Sequence, residues 1–173
     1  MYLRLIAPPQ TEPVTLMEAK AHLRIDGSEE DELLSALITA AREMAEEYTR
    51  RAFITQTWEL ALDSASGKVY LPRPPVQTID EIMLDGEMVA IENYIFLGEN
   101  VFCPKIPLYA ANPGGLVIRY ISGYGSNATD IPQAIRQAIL MLITHLYEHR
   151  GDEKVEIPTT IKALLQPYRV MLI

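Results

Sequence analysis

The chain has 173 residues, 49% of them hydrophobic, with a formal net charge of -8. That length fits one domain, or one domain with a small inserted subdomain, and the apolar content excludes wholesale disorder. An acidic chain offers no general electrostatic grip on phosphates, which disfavours broad nucleic-acid binding. The single cysteine, Cys103, excludes an internal disulfide and a cysteine-rich zinc site, and fits a reducing compartment. No apolar run reaches membrane-spanning length and the N-terminus has no leader pattern, so a non-membrane protein made in the cytoplasm is expected.

Residues 1–13 open as an extended arm and end in prolines. A short helix then starts at Val14, with Thr15 as N-cap and Glu18 completing a capping box, and it ends near Ile25. Ser28 is the expected cap of a longer helix with Glu29, Glu30 and Asp31 in its first turn, running to about Arg51. Leu33, Leu37, Ile38, Ala41, Met44, Ala45 and Tyr48 share one arc of that helix, and its charges read as a solvated face.

From about Thr55 to Gly123 the period changes. TWELALD alternates as a strand does, and LPRPPV forms an extended corner. Asp85-Gly86 marks a hairpin, and YIFLGENVFCP marks a second. CPKIPLYAANPGG reads as a proline-rich loop and GLVIRYISGYG as a final strand. A helix with Pro132 in its first turn follows, capped by Asp130 or Thr129 and running to about Arg150 with Gly151 as its stop. PTTIKALL forms a last short helix before an apolar tail. The expected fold class is α+β, mainly α. Four helices form a bundle, with a small antiparallel β subdomain (55–123) inserted between the second helix (14–52 for the N-terminal pair) and the third (131–173 for the C-terminal helices and tail).

His145, Glu148 and His149 have the H-x-x-E-H spacing of one class of zinc peptidases. Two histidines one helical turn apart can reach one metal, but a catalytic zinc needs a third protein ligand. Only 24 residues follow His149, and their acids, Asp152, Glu153 and Glu156, sit in the adjoining loop. At about 100 degrees per residue, Ile139, Leu142 and Leu146 lie within about 40 degrees of Ile135. His149 falls in that apolar arc and His145 at its edge, so both read as packing residues rather than ligands. Leu140, Ile143 and Tyr147 occupy one flank, and only a narrow stripe of Gln133, Gln137, Thr144 and Glu148 is polar. A helix apolar nearly all round is central to the fold, or meets another subunit, or both. No nucleophile elbow, phosphate loop or paired acid appears, so neither catalytic nor metal-binding residues are assigned and no cofactor is expected.

Four segments in this order resemble the head–tail connector (adaptor) proteins of long-tailed double-stranded DNA phages and prophages. They are VTLMEAKAHLRID with EEYTRRAFITQTW; LPRPPVQTIDEI; YISGYG with IPQAIRQAILMLITHLYEHRG; and IPTTIKALLQPYRV. The resemblance spans about Val14 to Val170. It implies a non-enzymatic virion protein at the head–tail junction, made in the bacterial host. Copies would form a homomeric ring, of twelve as is usual in that family, beneath the portal protein and above the tail or neck completion proteins. DNA would pass through that ring without sequence-specific binding and without a membrane. The subunit interface would include Leu140, Ile143, His145, Tyr147 and His149, and the tail Tyr168, Arg169, Val170, Met171, Leu172 and Ile173 would dock to the portal. Two other functions compete. One is a metal-dependent hydrolase using His145 and His149. The other is a DNA-packaging factor gripping DNA through Arg4, Arg24, Arg50, Arg51 and Arg150.

Overall fold

A computed structural model describes residues 1–90, 94–105, 107–150 and 156–171. They fall into two compact units, one of Met1–Gln10 with Thr55–Tyr124, the other of Thr11–Ile54 with Gly125–Ile173.

The first unit contains ten strands among its described residues and no helix. A five-stranded antiparallel sheet runs in the order β1 (Tyr2–Ala7), β2 (Gln56–Leu62), β10 (Leu116–Ser122), β5 (Val76–Leu84), β6 (Glu87–Met88). Strands β4 (Val69–Tyr70), β8 (Val101–Pro104) and β7 (Tyr94–Leu97) make a second sheet; β3 (Ser64–Ala65) and β9 (Leu108–Tyr109) pair as a third. Side chains alternate across a strand, so one face of β10 carries Leu116, Ile118 and Tyr120, all buried. Leu60, Ile79, Ile82, Leu71 and Phe102 close around them into one core. Each such aliphatic side chain removed from water contributes about 1.5–3 kcal/mol. Tyr120 ends that row with its hydroxyl donating to the Pro72 carbonyl at 2.9 Å, and burial pushes its phenol well above the usual range.

The hairpin expected at Asp85-Gly86 joins β5 to β6. Asp85 and Gly86 both have positive φ, 50° and 90°, as a twisted two-residue turn requires. The 94–104 segment forms the second hairpin, β7 with β8. The loop that follows contributes a strand of its own, β9. It is then tied down by Asp85, which accepts from the Ala111 and Asn112 amides at 2.7 and 3.2 Å, and by Asp63, which accepts from Gly114 at 2.7 Å. These backbone donors, Ala111 first, hold the Asp85 carboxyl below its ordinary range.

The second unit packs α1 (Leu16–Leu23), α2 (Asp31–Thr49), α3 (Gln133–Glu148) and α4 (Thr159–Leu165). The Thr15–Glu18 capping box is present in full. Ser28 does not cap α2: its carbonyl accepts from Asp31, and the N-cap position is Glu30 with no side-chain bond. Nor does Asp130 cap α3. It closes a capping box with Asn127 around the 3-10 turn Ala128–Asp130, and Pro132 occupies the cap of α3. At Asp130 a competing local partner, the Asn127 capping box, won. Helix α3 ends at Glu148; its expected stop, Gly151, lies outside the described residues. Ile135, Ala138, Ile139, Leu142 and Ile143 of α3 are buried, and α1, α2 and α4 all pack on this helix.

The expectation of a mainly helical bundle is therefore corrected: among the described residues four α-helices coexist with three sheets, and the largest sheet has five strands. The N-terminal arm is the clearest reason. MYLRLIA carries apolar residues on both faces, with Arg4 its one charge, so it shows no clear alternation. It becomes a strand only through β2, which lies some 55 residues further along the chain.

Candidate assembly surfaces

Helix α3 was expected to offer a subunit contact. Ile143 is buried inside the helical unit, Leu140 and His145 are half-buried, and His149 is exposed at the C-cap. Position on the wheel predicts burial only while neighbouring helices still cover that face, and at the last turn they do not. Tyr147 donates its hydroxyl to Glu30 at 2.7 Å, and the Arg150 guanidinium sits 4.2 Å from its ring centroid. The Glu30 hydrogen bond pushes the Tyr147 phenol up.

The two histidine rings lie 4.3 Å apart, tilted against each other, and His149 Nδ1 meets the His145 carbonyl at 2.8 Å. Helix-end hydrogen bonding therefore occupies one ring nitrogen. Among the described residues no three His, Cys, Asp or Glu side chains converge as a ligand set. His22 is exposed on α1.

The C-terminal segment is fastened rather than loose through Val170. Arg51 Nε donates to the Tyr168 carbonyl at 2.5 Å and the Val170 amide to the Thr49 carbonyl at 2.9 Å. Tyr48 donates to Gln166 at 2.8 Å, and Arg169 lies over the Tyr48 ring at 5.2 Å. The Val170 amide satisfies the Thr49 carbonyl at the end of α2, and Met171 beyond it is 69% exposed. Leu172 and Ile173 lie outside the described residues.

The arginines considered for DNA contact have local partners or roles. Arg4 pairs with Glu59 at 2.7 Å, and Arg150 with Glu30 at 3.4 Å. Arg51 binds the tail as above. Arg24 and Arg50 occupy left-handed C-cap positions on α1 and α2.

Sequence reasoning missed the face of the large sheet that points away from its core. Three cross-strand rows lie there in register. Arg4, Glu59, Arg119 and Glu81 form one, from β1 to β5. Their contacts alternate in sign: Arg4–Glu59 2.7 Å, Glu59–Arg119 3.0 Å, Arg119–Glu81 2.8 Å. Burial alone would raise the Glu59 carboxyl, but the Arg119 and Arg4 hydrogen bonds outweigh it and hold it below the usual range. A second row, Tyr2, Ala61, Val117, Met83 and Met88, crosses all five strands and carries no charge. The third holds Thr57, Ile121 and Thr78. Alternation in TWELALD and VIRYIS signals that such a face exists; only the register shows which residues meet on it.

In the helical unit an open groove is lined by the hydroxyls of Thr11, Thr15, Ser35 and Thr39 beside Glu12. The Glu12 carboxylate is already taken by Thr39 and Arg42, at 2.9 and 2.8 Å.

Comparison with known proteins bears on these surfaces. Residues 13–87 match the family model described as phage gp6-like head-tail connector protein, which bears out the resemblance read from the sequence. No curated protein matches the chain. Solved structures with the same fold include a chain of "Virion of native gene transfer agent (GTA) particle", at TM-score 0.84 and 23% identity, covering 100% of this chain and 97% of that one. Chains of "Neck of empty GTA particle computed with C6 symmetry" and "Neck of native GTA particle computed with C12 symmetry" match at TM-scores 0.86 and 0.77. Each is 22% identical, with the same coverage. From residue 13 to 87 this chain carries the sequence signature of the phage gp6-like head–tail connector proteins, and over its whole length it has the fold of chains from gene transfer agent particles.

Proposed function

We propose that this protein is a head–tail connector subunit of a tailed phage, a prophage or a gene transfer particle. It acts as a structural, non-enzymatic component of the virion neck. Copies form a closed ring between the portal protein and the tail or neck completion proteins, and the ring continues the channel through which DNA passes. The observation that carries this reading is a conjunction. The connector signature covers residues 13–87, and the full-length fold is that of chains in particle necks solved under sixfold and twelvefold symmetry. A net charge of -8 agrees with a conduit that does not hold DNA, since like charge weakens phosphate contact.

In this reading the fastened segment Tyr168–Met171, with Leu172 and Ile173 beyond it, is the portal-docking element. Its anchorage to the end of α2 runs through the Tyr168 carbonyl and the Val170 amide. The half-buried and exposed residues at the end of α3, Leu140, His145, Tyr147 and His149, contribute to a contact between copies, while Ile143, buried in the helical unit, is left to the core. The test is electron microscopy of the full chain, alone and mixed with the portal of the same particle. Rings, or rings capping the portal, are expected. A strict monomer that leaves the portal bare overturns the proposal.

A further inference from the structure

The β unit carries two separate uncharged surfaces outside its core, the first a single row flanked by the charged ladder and half-buried at Ala61, Met83 and Val117. One is the uncharged row on the large sheet, which ends in Tyr2 and Met88; Met88 is 73% exposed. The other is the outer face of the small sheet. There Tyr70, Val101 and Leu97 stand in register, with Cys103 and Ile95 in the next row. Their alternates, Val69, Phe96 and Phe102, fill the core. Tyr70, Ile95 and Leu97 are 58%, 49% and 45% exposed. Neither face includes a charged side chain in these rows, and two such faces on one small unit call for partners.

We infer that these two faces are the two halves of one contact between neighbouring copies, the small sheet of one copy packing on the outer row of the large sheet of the next. This rests on the ring reading above. Three observations select a second copy as the occupant.

A cyclic assembly needs two different surfaces on each subunit that match each other, and the unit presents two. Self-pairing of either face in a twofold dimer would leave the other bare. Both are sheet faces, and two sheets pack face to face through interdigitating apolar rows. Charge agrees as well. Copies with net charge -8 repel, so a stable contact must avoid burying unpaired acids. The row beside the apolar one is charged, but Arg4, Glu59, Arg119 and Glu81 are already paired along it, so a neighbour covers no lone charge.

Two variants that each spoil one half provide the test. Met88→Glu damages the large-sheet face alone, and Leu97→Glu the small-sheet face alone. Both positions are exposed, and circular dichroism and melting should match the parent. Tyr2→Glu and Tyr70→Glu repeat the test should either first choice misfold. Under conditions where the parent chain forms rings, free or on the portal, each variant is expected to sediment as a monomer. An equimolar mixture should give a discrete 1:1 pair and no ring, because one intact half remains on each partner. Met17→Glu, at an 80% exposed site on α1, should leave rings unchanged. Rings formed by either variant, or a mixture that stays monomeric, overturn this contact while leaving the ring reading standing. A parent chain that never forms rings, even with portal, overturns both.

Discussion

Arg42 in the helical unit is held by Glu12, Glu46 and, at 3.5 Å, Glu43, and Arg119 in the sheet unit by Glu59 and Glu81, but in opposite surroundings. Arg42 is 5% exposed and Glu46 6%. Its guanidinium reaches Glu12 and Glu46, each at 2.8 Å, and Glu46 also accepts the Phe53 amide at 2.7 Å. Burial works against the Arg42 charge, and Glu46 and Glu12 more than restore it. Arg119 lies on an open sheet face with side-chain exposure of 36%, between Glu59 and Glu81. The first arrangement fixes where the chain turns after α2, because removing one member strands a charge away from water. The second is a surface strip whose members also meet solvent, and its importance is to keep the face neutral row by row.

The sharpest way to break this contrast is Glu46→Ala. It removes the buried partner of the Arg42 charge and leaves the Phe53 amide without the Glu46 acceptor, and about 3–5 kcal/mol of stability should be lost in urea unfolding. A loss no larger than that of a surface pair would show that the Arg42 network is solvated. Glu59→Gln is the sheet counterpart. It weakens two ion pairs on a half-exposed face, and a loss of about 1–2 kcal/mol is expected at neutral pH. The pH profile distinguishes it further. The Glu59 carboxyl is held below its ordinary value of 4.5, so its contribution is fully present above about 4.5 and fades as pH falls through the lower folded value. The Gln variant should therefore show a shallower stability loss on acidification than the parent, and parallel profiles would contradict the ladder.

Thr15→Ala removes the cap of α1 and should cost about 1 kcal/mol. Glu18 would lose its backbone donor at Thr15 least and the Thr15 hydroxyl entirely, while keeping Arg136. The smallest effect belongs to Arg4→Ala at the open end of the ladder, about 0.2–1 kcal/mol and weaker in high salt. A larger, salt-insensitive loss would mean that the edge of the sheet is less open than its exposure indicates.

The helices were legible because each writes its period in contiguous residues. QAIRQAILMLITHL states its buried stripe without reference to any distant segment; LLSALITAAREMAEEY states Ile38, Ala41 and Ala45, but its expected solvated face holds Arg42 and Glu46, which the structure buries through Glu12 and the Phe53 amide. The capping box at Thr15 and the turn at Asp85-Gly86 were equally local. The wheel of α3 identified Ile135, Ile139 and Leu142 as core, yet placed His149 in the same arc, where the structure leaves it exposed. The wheel records direction around a helix and not where its neighbours stop. The Ser28 and Asp130 caps failed because several residues nearby could donate or accept, and spacing alone does not rank them. The extent of the sheet failed for a different reason. Strand β1 owes its existence to β2, and β9 to β3, pairings that no short window contains.

The sequence by itself determined which segments are helices, where the tight turns fall, the acidic balance and the connector signature, because each is written in residues that are neighbours in the chain. Tertiary structure decided that the protein is as much sheet as helix. It also decided that Arg4, Glu59, Arg119 and Glu81 form one ladder, and that an uncharged row from Tyr2 to Met88 crosses five strands. The physical reason is register. A one-residue shift between strands would turn every side chain to the opposite face, and register is fixed only when distant segments pack together.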